Sequence, residues 1–287
     1  VIIGEDAGKN QTTADNNVII GQGAGEQVTE GHTNTLIGSQ AGDALTTGDE
    51  NVAVGHGALD GTATGNGNTA VGTDSMGKSN YNASYNTAVG YNAMLNATTA
   101  TGTTAIGTQA LDALTTGAQN TALGASALGA STTASYNTAV GASALVVNTT
   151  GAQNTAVGAF ALQSNTTGSP NTALGYDALG DNTTAAGNTA VGWASLSKTT
   201  TGYANTAVGQ SALTANTTGF SNVAFGHNTL DASTTGDNNT ALGKSALSSN
   251  TTADSNTAVG TSALFTNTTG AFNAAMGNDA LRTNSTG

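Results

Sequence analysis

Apolar and polar positions along the chain repeat with one period. A pentad of the type Asn-Thr-Ala-Val-Gly starts at sixteen places, from Asn17 to Asn273. Fourteen of the fifteen spacings between starts are 17 residues, and the spacing from Asn68 to Asn86 is 18. The unit is N-T-A-V-G-x-x-A-L-x-x-N-T-T-G-x-x, numbered here with the first Asn as position 1. Fixed columns between variable ones indicate stacked coils, in which each residue lies above its counterpart one repeat earlier.

The unit predicts short extended segments. Glycines at positions 5 and 15 leave no window of the roughly 10–12 residues that a helix needs, and Thr and Val favour strands. We predict one strand at positions 1–5, for example residues 137–141, and a second near residues 144–145 or 148–150. Glycines would turn the corners. The predicted fold is all-β, a β-solenoid of about 17 coils in a single array over residues 1–287, roughly 80 Å long at ~4.8 Å per coil.

Six columns of the repeat indicate how the coils hold together. Position 4 is always a large apolar residue, and position 9 is Leu or Met except at Gly25 and Gly42. We therefore expect positions 4 and 9 to form the core, with small contributions from Ala at positions 3 and 8. Asn at positions 1 and 12 is expected to form hydrogen-bonded stacks. Ala at position 3, from Ala53 to Ala275, is expected to form a strip on which another chain packs, giving a homotrimer or another symmetric bundle.

Composition excludes several classes of protein. Charged residues are 8% of the chain and the net charge is −12, which argues against nucleic-acid binding. No Cys is present for disulfides or thiolate metal sites, and no apolar run is long enough for membrane insertion. Aromatic residues at 4% leave little to fill the core of a globular enzyme. Val1 enters at position 2, Gly287 stops at position 15 and no cap is visible, so we expect a segment of a longer chain.

The sequence gives little support for a catalytic or metal-binding site. The three His fall in different repeats, and no nucleophile elbow or zinc-protease motif occurs. Asp177 with Asp181, or Asp231 with Asp237, could form the carboxylate pair of a glycan-cleaving spike, but solvated turns explain them better. The Asp residues form no regular column of the kind that calcium-binding repeats need. We expect no catalytic residue, no cofactor and no metal.

Two further patterns concern binding. Thr columns at positions 2, 13 and 14 suggest an ice-binding solenoid as an alternative, although two paired ranks on one face are not evident. The candidate ligand-contact aromatics are Tyr176 and Trp193 at position 6, and Tyr203 and Phe220 at position 16, and we expect each pair to stack one coil apart. Such side chains pack against sugar rings or protein partners. The alternative is that they shield turns or fill grooves between chains.

Residues 51–59 (Asn-Val-Ala-Val-Gly-His-Gly-Ala-Leu) and 171–179 (Asn-Thr-Ala-Leu-Gly-Tyr-Asp-Ala-Leu) resemble repeats of trimeric autotransporter adhesin heads, of long bacterial surface proteins and of phage tail fibres. The resemblance covers essentially the whole chain, although adhesin head repeats are usually shorter than 17 residues. It implies a left-handed β-roll, usually trimeric, on a cell surface or virion appendage.

We therefore expect a non-enzymatic extracellular fibre or adhesin segment. It would act as a rigid spacer and surface-attachment module, with copies of itself and a cell-surface glycan or protein as partners. An ice-binding solenoid is the alternative, followed by a glycan-degrading spike.

Overall fold

The computed structural model describes residues 1–77 and 82–286, and every regular element in these ranges is a β-strand. These ranges contain no helix that is long and apolar enough to cross a membrane. Residues 78–81, which fall within the single 18-residue spacing, and Gly287, at position 15 of the last repeat, lie outside the described residues.

Each full strand covers positions 2–4 of a repeat, so that one strand forms per coil. The strands are β1 (Ile2–Ile3), β2 (Val18–Ile20), β3 (Thr35–Ile37), β4 (Val52–Val54), β5 (Thr69–Val71), β6 (Thr87–Val89), β7 (Thr104–Ile106), β8 (Thr121–Leu123), β9 (Thr138–Val140), β10 (Thr155–Val157), β11 (Thr172–Leu174), β12 (Thr189–Val191), β13 (Thr206–Val208), β14 (Val223–Phe225), β15 (Thr240–Leu242), β16 (Thr257–Val259) and β17 (Ala274–Met276).

The chain forms two compact units. One comprises Val1–Ser143 with Val147–Thr150, and the other Ala144–Val146 with Gly151–Gly287. The first contains β1–β9 and the second β10–β17. Within each unit every strand pairs in parallel with the next, and equivalent repeat positions are partners, as in the Leu174–Val191 pair. The predicted β-solenoid with a 17-residue repeat is thereby confirmed in both units.

The predicted second strand is wrong. Positions 6–11 form a turn and positions 13–14 a bend. For residues 144–145 the reason is the backbone at positions 7 and 9, which adopts positive φ in every coil, for example 57° at Gln109 and 52° at Leu111. An extended strand needs negative φ, so these two residues end any strand before it can form.

The core is formed by positions 3, 8 and 9, as predicted for these three positions, but not by position 4. Ala173 and Ala207 are fully buried, whereas Leu174 and Phe225 at position 4 are 46% and 54% exposed. Asn at position 1 points inward, and because side chains alternate along a strand, position 3 points inward with it and positions 2 and 4 point outward. The prediction of a position 4 core is therefore wrong. The Ala column is buried within its own coil, so the expected packing of another chain on it is also wrong.

The first full coils fill their interior in a different way from later ones. Ile19 and Leu36 occupy position 3, where later coils have Ala, and Gly25 and Gly42 occupy position 9, where later coils have Leu or Met. A Cβ built on Gly42 would lie 2.7 Å from Cδ2 of Leu36. A large side chain at position 3 therefore takes the volume that Leu takes at position 9.

Asn at position 1 links neighbouring coils as predicted. The side-chain Nδ2 of Asn51 donates to the carbonyl oxygen of Gly65 at 2.9 Å and to Oδ1 of Asn34 at 3.2 Å, and its backbone N–H donates to the same Oδ1 at 2.9 Å. The pattern recurs at Asn205. Since these side chains are buried, their hydrogen bonds also satisfy the polar atoms inside the coil.

Two further columns add hydrogen bonds between coils. At position 12, Nδ2 of Asn182 donates to Oδ1 of Asn165 at 2.8 Å, as predicted for this column. At position 13, Thr hydroxyls donate to the carbonyl oxygen of the equivalent residue in the next coil, for example Thr217 to Thr234 at 3.0 Å. Position 14 lies outward, as Thr218 shows.

Candidate functional site

The turn at positions 6–11 is where the sequence is free to vary. Positions 8 and 9 bury Ala and Leu, while positions 6, 7, 10 and 11 are at least partly exposed in most coils. In one part of the second unit these variable positions bring together two aromatic rings and three charged groups. Phe160 at position 7 and Tyr176 at position 6 of the next coil have ring centroids 5.6 Å apart and ring planes at 84°. This is an edge-to-face pair, one of the favoured aromatic arrangements.

A groove of about 350 Å³ opens beside this pair. Its lining residues are Phe160, Gln163, Tyr176, Asp177, Asp181 and Lys198. The Nζ of Lys198 lies 3.0 Å from Oδ2 of Asp181, one coil away. The groove therefore combines apolar ring surface with hydrogen-bond donors on Lys198 and Gln163 and acceptors on the two carboxylates.

Two pKa values in the groove are shifted upward. Partial burial raises the pKa of Asp177; Lys198 opposes this rise and the nearby Asp181 adds to it. The hydrogen bond to Asp181, followed by the attraction between the two charges, raises the pKa of Lys198. Lys198 thus stays cationic at neutral pH and compensates the charge of Asp181.

The four sequence-predicted aromatics do not form one site. Tyr176 lies in the groove, but it contacts Phe160; among the described residues no ring contact joins Tyr176 to Trp193, so the expected stack of these two is wrong. Tyr203 and Phe220 do stack one coil apart, with centroids 5.0 Å apart and planes 5° apart. Tyr176, Trp193 and Tyr203 are about half exposed, and Phe220 is partly covered.

The second predicted carboxylate pair has structural partners. Oδ1 of Asp231 accepts from the hydroxyl of Ser248 at 2.6 Å, and Oδ1 of Asp237 accepts from the backbone N–H of Phe220 at 2.9 Å. Asp177 and Asp181, by contrast, do lie together in the groove. Within residues 1–77 and 82–286, no three His, Asp or Glu side chains are placed to hold a metal ion.

An acidic column lies at position 10 of the first unit. It contains Glu26, Asp43 and Asp60, one in each of three successive coils. Burial, followed by repulsion from Glu26, raises the pKa of Asp43. Burial also raises the pKa of Asp60, with additional repulsion from Asp43 and Asp74 and a smaller opposing effect of His56.

The raised pKa of Asp60 predicts a stability that falls as pH rises. Because the folded chain holds this proton more tightly than the unfolded chain, the stabilisation is complete below the unfolded pKa and is lost as pH rises through the folded pKa. We expect Asp60→Asn to raise the thermal midpoint at pH 7 and to change it little at pH 3.5. Glu5→Gln, which removes an exposed carboxylate outside the column, is the control. Equal effects of Asp60→Asn at both pH values would contradict the assignment.

The outward face of the strands is a second surface feature. In the sixteen full strands β2–β17, positions 2 and 4 contain no charged residue: position 2 is mostly Thr, and position 4 is Val, Ile, Leu, Phe or Met. In β10–β17 the exposed members of position 4 include Leu174, Phe225, Leu242 and Met276. We call positions 2 and 4 of the strands the outer strand face.

Sequence reasoning missed three groove residues: Phe160, Gln163 and Lys198. Each lies at a variable position, and none shares a repeat position with Tyr176. A usable signal existed, because the 17-residue register places position 7 of one coil beside position 6 of the next. Applying that offset to Tyr176 would have indicated Phe160.

The chain matches no known protein family, no curated protein and no solved structure. The fold therefore defines the class: an all-β repeat protein with parallel β-solenoid units and a coil of 17 residues.

Proposed function

We propose that this chain is a non-enzymatic segment of an extracellular fibre or adhesin, serving as a rigid spacer that also carries attachment sites. The observation that supports this most strongly is the ladder of position 1 side chains, which are Asn in all coils of the second unit and in all full coils of the first except the one that starts at Thr103. There the Thr103 hydroxyl accepts from the backbone N–H of Asn120 at 3.4 Å. Buried hydrogen bonds at every coil resist bending and shear, because each coil is tied to its neighbour by side chain as well as backbone. The resemblance to adhesin and tail-fibre repeats supports the same assignment.

The proposed assembly uses the outer strand face. A chain with net charge −12 repels its own copies, so copies can approach most closely where charge is absent. The outer strand face meets that condition, and in β10–β17 it presents half-exposed apolar side chains that water solvates poorly. We propose a homotrimer or another symmetric bundle packed on this face, in place of the buried Ala column.

Charge placed on the outer strand face is expected to break the assembly. The double variant Leu174→Glu/Leu242→Glu should weaken self-association roughly a hundredfold, since like charges facing one another across an interface cost several kcal/mol. Sedimentation equilibrium measures the association, and circular dichroism checks the fold. Gln210→Glu, an exposed position 6 residue off the face, should leave association unchanged. A wild-type chain that stays monomeric at all concentrations would refute the proposed assembly.

A second candidate function, ice binding, is favoured by one observation. Position 2 places outward Thr beside outward branched apolar residues in most strands, which within each unit is a regular array repeating about every 4.8 Å. Thermal hysteresis of the wild-type chain separates the two candidates. Measurable hysteresis by a monomeric chain would replace the fibre proposal, and its absence at high concentration would remove ice binding.

A further inference from the structure

The groove beside Phe160 and Tyr176 is not required by the coil. The repeat fixes Asn, Ala, Leu and Gly, whereas all six groove residues occupy positions 6, 7, 10 or 11. In the coil starting at Asn205, these four positions carry Gln210, Ser211, Thr214 and Ala215, and the backbone there has the same turn. The fold is thus compatible with neutral, non-aromatic residues at all four positions.

Stability gives little reason for the charges either. The Lys198 and Asp181 side chains are 61% and 42% exposed, and exposed ion pairs contribute only about 0–1 kcal/mol. Two of the 22 charged residues of this chain form that pair, and a third, Asp177, lies beside it. Their convergence on an exposed aromatic pair is therefore better explained by contact with a ligand.

The chemistry of the groove selects among ligands. An anion would be repelled by the carboxylates of Asp177 and Asp181, and a cation would be attracted by these carboxylates but repelled by Lys198. A neutral pyranose ring has an apolar face of C–H groups and a rim of hydroxyls that both donate and accept. The half-exposed Tyr176 offers ring surface for the apolar face of the sugar. The Asp carboxylates, the Gln163 amide and the Lys198 ammonium offer hydrogen-bond partners for its hydroxyls. The volume of about 350 Å³ lies at the lower end of ligand sites, roughly 300–1,000 Å³.

We propose that this groove binds a neutral sugar residue of a glycan, with the sugar ring against Tyr176 and its hydroxyls toward Asp177, Asp181, Gln163 and Lys198. The inference deepens the attachment role under the proposed function and rests on it. It also replaces the expected Tyr176–Trp193 surface by a site built from Phe160 and Tyr176.

The test is binding of the full chain to immobilised oligosaccharides. The probes are gluco-, galacto-, manno- and N-acetylglucosamine oligomers, with sialylated and uronic acid oligomers for comparison, and saturation-transfer NMR with the free oligomer. We expect at least one neutral oligomer to bind. Tyr176→Ala should weaken its binding at least tenfold, and Lys198→Met should weaken it severalfold. Tyr91→Ala, which removes a similarly exposed ring at the same repeat position outside the groove, should leave it unchanged.

Three outcomes would overturn the proposal: no neutral oligomer binds, only acidic oligomers bind, or Tyr176→Ala binds as the wild type does. Tyr176 is half exposed, so its removal should not unfold the coil, and the thermal midpoint of each variant checks this. Self-association is measured on the same samples. If the wild-type chain self-associates but binds no sugar, this inference alone is refuted. If the wild-type chain does not self-associate, the result counts against the proposed function.

Discussion

Alanine at Gly243 is expected to destabilise the second unit by about 3 kcal/mol or more. Gly243, at position 5, has φ of +131°, a conformation that is costly for any residue with a Cβ. A Cβ there would also lie 2.6 Å from the carbonyl oxygen of Gly260 in the next coil. Both effects act at the end of a strand, so the pairing of β15 with β16 should be lost first. Urea unfolding and amide exchange near residue 243 measure the effect.

Gly236→Ala is the matched control. A Cβ on Gly236, at position 15, would lie 2.5 Å from the carbonyl oxygen of Ala253, a contact as close as that at Gly243. Its φ lies outside the left-handed range, and Ala253 itself occupies position 15 in the next coil. We expect a loss of about 1 kcal/mol or less. If both variants lose the same free energy of unfolding, the contact with the carbonyl oxygen, rather than the backbone conformation, is the reason that position 5 requires glycine.

Exchanging the two core arrangements is expected to show strong coupling. Leu36→Ala alone should cost about 2–5 kcal/mol through the cavity it leaves. Gly42→Leu alone should cost a similar amount, because Leu36 already occupies the space. The double variant Leu36→Ala/Gly42→Leu should be more stable than either single variant. The φ at Gly42 is +62°, close to the 52° that Leu111 adopts at the same repeat position.

The coil starting at Thr103 serves as the template for this exchange. It holds Ala105, Leu111 and Leu114 at positions 3, 9 and 12, all fully buried. The double variant would place Ala, Leu and Leu45 at the same three positions. A double-mutant cycle on the unfolding midpoints measures the coupling, which we expect to reach about 2 kcal/mol. Additive losses would show that positions 3 and 9 fill separate spaces.

The sequence was sufficient to predict the coil and its register. Asn34 and Asn51 differ by 17 residues, and their predicted stacking is the hydrogen bond from Asn51 to Oδ1 of Asn34. The repeat predicts such contacts because residues at the same repeat position lie next to each other in successive coils. The same logic predicted the stack of Tyr203 on Phe220.

Which side of the strand faces inward was not predictable from hydrophobicity. Val and Leu at position 4 are more apolar than Ala at position 3, yet Ala173 is buried and Leu174 is not. The deciding residue is Asn171, whose Nδ2 donates to the carbonyl oxygen of Ala185 inside the coil at 2.8 Å. Once that amide points inward, alternation fixes the orientation of the next three residues. The groove escaped prediction for a related reason, since it combines different positions from three coils.

The turn at positions 6–11 has a consequence for protein engineering. Its backbone takes the same left-handed conformation at positions 7 and 9 in every coil, whether position 7 is Phe160, Asp177 or Ser211. Side chains grafted onto one such turn should therefore adopt the same arrangement on another, so that a recognition patch could be transplanted along the array or multiplied without redesigning the interior.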